Sequence, residues 1–184
     1  MLFQGDRAVE DATPQGVAPD APLFRNVFRK RQGPLSVQDF LAATPLFETL
    51  NRREQKRLAG IVHEREYAPG ELIFEQGTPG AAMYIIKRGE VELFRQGADG
   101  REIARLVNLD TGTFFGESAL LSEDNRLASA RAAGPTAVIA IFRSDLADLM
   151  QRFPALGCKI LHKLAWVLGK RLETAIEDMY RSPA

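Results

Sequence analysis

One glycine and two charged residues between positions 116 and 126 have the chemistry to hold an anion together with a hydroxyl group. Gly116 lets the backbone approach an anion closely because it carries no Cβ. The residues after it can start a short helix, whose free N–H groups favour negative charge. Arg126 offers a planar cation for a phosphate, and Glu117 offers an acceptor for a sugar hydroxyl. The combination indicates a site for a ribose phosphate.

The same stretch resembles the phosphate-binding cassette of cyclic-nucleotide-binding domains, which occur in catabolite activators, cAMP-dependent kinase regulatory subunits and cyclic-nucleotide-gated channels. The resemblance rests on Phe-Gly-Glu-x-Ala-Leu at residues 115–120 and on Arg-x-Ala starting nine residues after the glutamate. It implies that Glu117 binds the ribose 2′-hydroxyl, that Arg126 binds the cyclic phosphate, and that backbone N–H groups near Ser118 and Ala128 complete the site. The predicted cassette contacts are Gly116, Glu117, Ser118, Ala119, Arg126, Leu127 and Ala128.

Leu127 indicates that the ligand implied by the resemblance is cAMP. In family members selective for cGMP, a threonine at this position helps to bind the guanine, whereas leucine has no hydroxyl. Leucine is also bulky beside a phosphate, and Asn125 stands where the family usually has proline. These departures motivate an alternative, an interaction or scaffold module on the same fold that has lost nucleotide binding or binds a cyclic dinucleotide.

The composition limits the classes of function that the chain can serve. Its 24 basic and 24 acidic residues cancel, which leaves no footprint for non-specific nucleic-acid binding. No apolar run is long enough to span a bilayer, and no signal peptide is evident. Cys158 is the single cysteine, so an internal disulfide is excluded and we interpret it as a buried small hydrophobe. These features predict a cytoplasmic protein, or a cytoplasmic piece of a larger one.

The chain divides into an N-terminal tail at residues 1–35 and a folded domain at residues 36–180. The tail is rich in alanine, proline, glycine and charge, which is typical of a flexible segment. Within it, residues 23–31 form a basic and apolar segment that fits either a docking site for a partner or membrane surface, or a short strap laid against the domain. Ser36 and Asn51 are the predicted N-caps of two helices that precede the strands.

Residues 61–143 carry the pattern of a jelly-roll β-barrel. Many short strand-like runs are separated by glycines, and residues 98–100 predict a hairpin turn. Pro-Gly-Glu-x-Ile, Gly-x-x-Gly and Tyr-Ile-Ile-x-x-Gly-x-Val follow one another in the order that resembles the cyclic-nucleotide-binding barrel. The predicted fold class is therefore mainly β with flanking helices, and Val91, Leu106 and Val107 are predicted to line the adenine.

Two C-terminal helices are predicted at residues 144–178, with Ser144 as the N-cap of the first. In the second helix, apolar residues recur at spacings of three and four. This seam fits either a homodimer or the packing of one face on the chain's own barrel. The resemblance implies that this helix closes over the nucleotide and places Arg171 over the base, with Trp166 and Val167 as alternatives. The seam consists of Leu161, Ala165, Leu168, Leu172, Ala175 and Met179.

Catalytic and metal-binding chemistry is not predicted. His63 and His162 are isolated in the sequence, whereas a metal site on a similar barrel needs a His-x-His pair with further ligands. No nucleophile and base are suitably spaced, and no glycine-rich lysine loop for a nucleoside triphosphate is present. We expect a non-enzymatic module without metal or cofactor, whose ligand is cAMP or a related cyclic nucleotide. No output domain follows the last helix, so it acts on an unidentified protein partner or belongs to a longer protein.

Overall fold

The computed structural model describes residues 36–181 of the chain. The predicted tail and its basic and apolar segment lie outside the described residues. Three helical elements come first, eight strands follow with one short helix among them, and two helices close the domain. In chain order the elements are α1 (Val37–Ala43), a 3-10 turn (Pro45–Phe47), α2 (Arg52–Ala59), β1 (Val62–Tyr67), β2 (Leu72–Phe74), β3 (Ala82–Arg88), β4 (Glu90–Gln96), β5 (Glu102–Asp110), β6 (Phe114–Phe115), α3 (Ser118–Leu121), β7 (Ser129–Ala132), β8 (Thr136–Phe142), α4 (Arg143–Arg152) and α5 (Pro154–Arg181).

Side-chain caps set the starts of α1 and α2. The Ser36 hydroxyl accepts a hydrogen bond from the backbone N–H of Asp39, at 3.1 Å. At α2, the Asn51 side chain accepts from the backbone N–H of Glu54, and the Glu54 carboxylate accepts from the backbone N–H of Asn51. This reciprocal arrangement is a capping box. Both predicted N-caps are confirmed.

The strands form two four-stranded antiparallel sheets. One sheet has the order β1-β8-β3-β6 and the other the order β2-β7-β4-β5. The first and last strands pair with each other, as do the second and the seventh, which is the nesting of a jelly roll. The predicted jelly roll is confirmed, although the two sheets are not closed into a barrel. The hairpin between β4 and β5 also turns where the sequence predicts, since the Gly97 N–H donates to the Arg101 carbonyl at 2.9 Å.

Two apolar cores lie on opposite sides of the sheet that contains β3. The larger core joins this sheet to the helices, and the smaller core lies between the two sheets. Because successive side chains of a strand point to opposite faces, Ile85 enters the larger core and Ile86 the smaller one. From α5, the larger core takes Leu156, Ile160, Leu164 and Val167.

The C-terminal helices depart from the sequence prediction at two positions. Phe142, still in extended conformation, is the N-cap of α4, so the helix begins at Arg143 and Ser144 lies within it. Cys158 is exposed, not buried as predicted, because the buried residues of α5 lie on another face of that helix. Among residues 36–181, no helix combines the length and the apolar character needed to cross a membrane.

Candidate ligand-binding site

The turn between β6 and α3 is built around Gly116. Its φ angle of 70° lies in the left-handed region, where a side chain would be strained. A Cβ at this position would also lie 2.7 Å from Nη1 of Arg126. Glycine is therefore needed twice, once for the turn and once for the close approach of the arginine. Four residues of helix follow, with Ser118 exposed and Ala119 buried.

Arg126 is a buried cation at the centre of this site, with 7% of its surface exposed. Its Nη1 donates to the Gly116 carbonyl at 3.0 Å, and its Nη2 donates to the Ala82 carbonyl at 2.6 Å. The guanidinium carbon lies 4.1 Å from the centroid of the Phe74 ring, within the range of a cation–π interaction. These contacts hold the guanidinium in a fixed orientation.

The charge of Arg126 is incompletely balanced by its surroundings. Within the described part of the chain, no carboxylate forms an ion pair with it, and its enclosed Nε has no hydrogen-bond partner. Burial lowers the pKa of the Arg126 guanidinium, while Tyr84 and Glu117 oppose that change. A buried cation with an unused donor is costly unless an anion compensates it. The site is therefore suited to accept an anion.

Glu117, the first residue after the turn, pairs with the C-terminal helix. Its Oε1 lies 2.8 Å from Nη1 of Arg171, and both side chains are largely shielded from solvent. Arg171 also donates to the Phe114 carbonyl at 3.0 Å, and its guanidinium carbon lies 4.3 Å from the centroid of the Phe114 ring. The sequence prediction brought Arg171 to the site but placed it over the base. In the structure it contacts the glutamate of the cassette.

Sequence reasoning missed an aromatic cluster that lies beside Arg126. The rings of Phe74, Tyr84 and Phe115 lie with their centroids 5.5–5.8 Å apart, and Tyr84 is itself 5.8 Å from the guanidinium carbon. They come from β2, β3 and β6, so their meeting depends on the pairing of distant strands. The only sequence signal was an aromatic residue in each of three short strand-like runs.

Sequence reasoning also missed Arg143, the first residue of α4. Its side chain donates to the carbonyls of Ala119 and Ser122, and thereby binds the C-terminal end of α3. Among the described residues, no group of three or more His, Cys, Asp or Glu side chains could hold a metal ion. The arrangement is therefore one of fixed cations and backbone groups around a short helix.

Two of the three predicted wall residues, Val91 and Val107, share one face of their sheet. The register of β4 and β5 pairs Val91 with Leu109 and Leu93 with Val107, so these four side chains share the face that packs toward the smaller core. Val91 is fully buried there. Leu106 has no partner in this register, because Leu93 pairs with Val107 and Phe94 with Arg105, and its side chain is 36% exposed. It is the extra residue of a β-bulge, which the strand period of two does not reveal in the sequence.

Leu127, the predicted contact that follows Arg126, faces solvent. Its side chain is 81% exposed. The next residue, Ala128, is partly exposed, and the chain then enters β7. The two lid alternatives on α5 also separate, since Val167 is buried in the larger core and Trp166 is 45% exposed.

A jelly-roll domain with a sheltered and incompletely balanced arginine beside a glycine turn is suited to bind a small anion. Residues 64–153 match the family model described as the cyclic nucleotide-binding domain. The chain is 38% identical over 135 residues to the cyclic AMP receptor protein of Thermus thermophilus, a match that covers 73% of this chain and 60% of that protein. It is 31% identical over 128 residues to a cAMP-dependent protein kinase regulatory subunit of Colletotrichum orbiculare, which covers 70% of this chain and 31% of that subunit.

The solved structures agree with the sequence matches. The crystal structure of the Thermus thermophilus catabolite activator protein superposes with a TM-score of 0.64 at 38% sequence identity, and the match covers 73% of this chain and 61% of that one. The chain therefore belongs to the cyclic nucleotide-binding domain family, and it is a regulatory domain homologous to these receptors and kinase subunits. It spans less than two thirds of the length of the curated relatives it matches.

Proposed function

We propose that this chain is a sensor of a cyclic nucleotide, with cAMP as its ligand, and that it signals through movement of α5. The observation that carries the proposal is the buried Arg126, whose Nε has no partner within the described residues. This nitrogen is enclosed, so a cyclic phosphate would reach it only after the surrounding groups move apart, and it would then compensate a charge that burial destabilises. Charge-assisted hydrogen bonds of this kind are about twice as strong as neutral ones.

Glu117 would connect the sugar of the ligand to the C-terminal helix. A carboxylate has two oxygens and several acceptor positions, so it can hold Arg171 and accept from a ribose hydroxyl together. A ligand bound in this way strengthens the contact between the cassette and α5. Binding then favours the docked arrangement of the helix to the extent that the ligand prefers that state.

The choice of cAMP follows from the surroundings of the base. Leu127 offers no hydroxyl to a guanine, and the face that carries Leu93, Val107 and Leu109 offers apolar surface for a purine. The exposed position of Leu127 weakens one motive for the scaffold alternative, because most of its side chain faces solvent. The two forms of that alternative, loss of nucleotide binding and a cyclic dinucleotide as ligand, are tested by the binding experiment below.

The proposal includes a regulatory role without catalysis or a cofactor, a cytoplasmic location and an output through a protein partner. The homologous receptor and kinase subunits are named as regulators, which supports the first of these. The exposed second half of α5 supports an output through contact with another protein, because it presents Leu172, Ile176 and Met179 to solvent.

We also propose that the partner surface of α5 pairs two copies of this chain. The predicted seam runs beside the core residues Leu156, Ile160, Leu164 and Val167, and of its members Leu168 also packs against the larger core. Its members are partly or fully exposed along the helix, with Leu172 at 62% and Met179 at 77%. An apolar stripe at heptad spacing is what a parallel helix pair requires.

Calorimetric titration with cAMP, cGMP and cyclic di-GMP tests the ligand. We expect cAMP to bind most tightly, and Arg126→Met to weaken binding by about 10- to 150-fold, as for the loss of a charge-assisted bond. Arg152→Met serves as the matched control, because Arg152 is an exposed arginine on α4 and should leave affinity unchanged.

Three results would contradict the assignment. Equal affinity of Arg126→Met and wild type for cAMP would show that the phosphate site is elsewhere. Binding heat with cyclic di-GMP but with neither cAMP nor cGMP would show that the ligand is a cyclic dinucleotide. A folded protein that gives no heat with any of the three would favour the scaffold alternative.

Crosslinking through Cys158 tests the homodimer. This exposed cysteine lies three residues before Leu161, on the side of the seam, so a parallel pair brings the two copies of it close together. We expect oxidation to give a covalent dimer and Leu172→Glu to abolish it. A monomer in sedimentation equilibrium at all accessible concentrations, with or without cAMP, would exclude the pairing.

A further inference from the structure

Arg143 occupies a position that is unfavourable for its own helix. It is the first residue of α4, where the helix dipole disfavours a cation. Its side chain turns back to the cassette, where Nη1 contacts three carbonyls, those of Ser122 at 2.5 Å, Ala119 at 3.2 Å and Gly80 at 3.3 Å. A charge placed against the local preference of its helix is a sign of a requirement elsewhere in the fold.

The contacts of Arg143 satisfy the C-terminal end of α3. The carbonyls of Ala119 and Ser122 lie at that end, where a helix favours a positive charge. The backbone N–H of Arg143 also donates to the Ala81 carbonyl at 2.9 Å, which ties the start of α4 to the strand β3. The Nη2 contact with Glu123, at 3.4 Å, is largely exposed and contributes little.

Two arginines from the C-terminal helices therefore hold α3 at its two ends. Arg171 of α5 pairs with Glu117, directly before α3, and Arg143 of α4 binds the carbonyls at its other end. A helix of only four residues held in this way moves as a unit with the groups bound to it. Phe153 alone separates α4 from α5, so a displacement of α4 passes to α5.

We infer that Arg143 is a positioning residue that transmits occupancy of the cassette to α4 and α5. The inference rests on the proposed function, since it assigns the route by which the same ligand acts. An anion bound to Arg126 acts on the turn at Gly116 through the hydrogen bond from Nη1 of Arg126 to the Gly116 carbonyl. Helix α3 follows that turn directly. Arg143 carries the resulting displacement across to the first turn of α4.

The test uses Trp166, the single tryptophan of the chain, as a reporter on α5. Its ring is 45% exposed, and its centroid lies 4.4 Å from Nζ of Lys163 on the same helix. Lys163 in turn pairs with Glu48 outside α5, at 2.6 Å, so a movement of the helix changes the surroundings of the ring. Affinity for cAMP is measured by calorimetry, and the change in Trp166 emission is measured separately at saturating cAMP. Both measurements are made on wild type, Arg143→Met, Arg143→Lys and the control Arg152→Met. Thermal unfolding shows that each variant is folded at the temperature used.

We expect Arg143→Met to bind cAMP about 5- to 30-fold more weakly, within the usual range of coupling between sites. Its emission change at saturation should fall below about half that of wild type, because the bound state no longer selects one position of α5. Arg143→Lys keeps the charge but has one nitrogen for three carbonyls. Its affinity and its emission change should therefore lie between those of wild type and Arg143→Met. At saturation a plain loss of affinity or stability leaves the emission change intact, which separates coupling from a structural role.

The outcomes distinguish this inference from the proposed function. No binding by wild type would refute both. Normal binding by wild type without any emission change would refute the inference alone, because no movement of α5 would be present to transmit. A full emission change in Arg143→Met, or in Arg143→Lys if the first variant is unfolded, would likewise overturn it.

Discussion

Arg171 and Glu117 form an ion pair 2.8 Å long between residues 54 positions apart in the chain. It joins the last helix to the glycine turn of the cassette and lies beside the buried Arg126. The Glu117 side chain is 17% exposed, so solvent screens the pair only partly. The glutamate expected at the ribose is thus also the attachment point of α5.

Glu117→Gln and Arg171→Met should interact when combined. Each variant alone is expected to lower the affinity for cAMP by about tenfold, because each removes one partner of a shielded charged hydrogen bond. The double variant should lose less than the sum of the two, by about 0.5–3 kcal/mol, as for residues in direct contact. A double-mutant cycle by calorimetry measures this difference. Strict additivity would mean that the two residues act on binding independently and that their ion pair is not coupled to the ligand.

Gly116→Ala should damage both the turn and the arginine site. The alanine would have to adopt a φ of 70° with its Cβ 2.7 Å from Nη1 of Arg126. We expect a loss of about 1–3 kcal/mol in the free energy of unfolding and a loss of cAMP binding of at least about tenfold. Gly134→Ala is the control, since Gly134 has no positive φ and a Cβ there meets nothing within 4 Å. Equal effects at the two positions would contradict the prediction.

Glu54 should make the stability of the domain depend on acid pH. The hydrogen bond from Lys159, followed by that from the Asn51 backbone, lowers the pKa of Glu54 below its ordinary value of 4.5. A carboxyl group whose pKa is lower in the folded state stabilises the fold above its unfolded pKa, and that contribution disappears as the pH falls through the folded pKa. Glu54→Gln retains an acceptor for the capping box but loses the charge.

We therefore expect Glu54→Gln to be less stable than wild type by about 1 kcal/mol at pH 7, with the gap closing as the pH falls below about 4.5. Denaturant unfolding at pH 7, 5, 4 and 3 measures the gap. Glu48→Gln is the control, since the pair of Glu48 with Lys163 is more exposed at the carboxylate and should contribute little at any pH. A gap for Glu54→Gln that stays constant with pH would refute the charge-based explanation.

Leu127→Thr should shift the ligand preference toward cGMP. The side chain is 81% exposed, so the substitution adds a hydroxyl without disturbing the core. One additional hydrogen bond corresponds to an increase of about 5- to 10-fold in affinity for cGMP, with that for cAMP nearly unchanged. Leu121→Thr is the control, because Leu121 is also an exposed leucine but lies on α3. An unchanged ratio of the two affinities would show that residue 127 does not contact the base.

The parts of the site that could be predicted from the sequence are local. The turn at Gly116, the short helix after it and the helix caps at Ser36 and Asn51 each depend on residues within a few positions of one another. The wall residues could not be predicted as a set, because a β-bulge interrupts the pairing of β4 with β5 at Leu106. The bulge depends on the register of two strands and is not visible in the strand period.

The parts that could not be predicted depend on long-range pairing. Phe74, Tyr84 and Phe115 meet around Arg126 only because β2, β3 and β6 are brought together by the sheets. Arg143 looks in sequence like an ordinary charged residue at a helix start. Its role becomes visible only when the end of α3, some 20 residues earlier, lies against it.

Gly157 lies where α5 rests closely on α4. A Cβ at Gly157 would lie 2.5 Å from Cγ of Met150 on α4, so the two helices touch close to the start of α5. At 1.5 Å per residue, Arg171 lies about 21 Å from this contact and the end of the helix about 36 Å. A rotation of α5 by only about 3° about this contact would shift Arg171 by roughly 1 Å, enough to break its hydrogen bond to Glu117. The length of α5 would thus convert a small rotation near its start into the loss of a contact, and the end of the helix would travel nearly twice as far as Arg171.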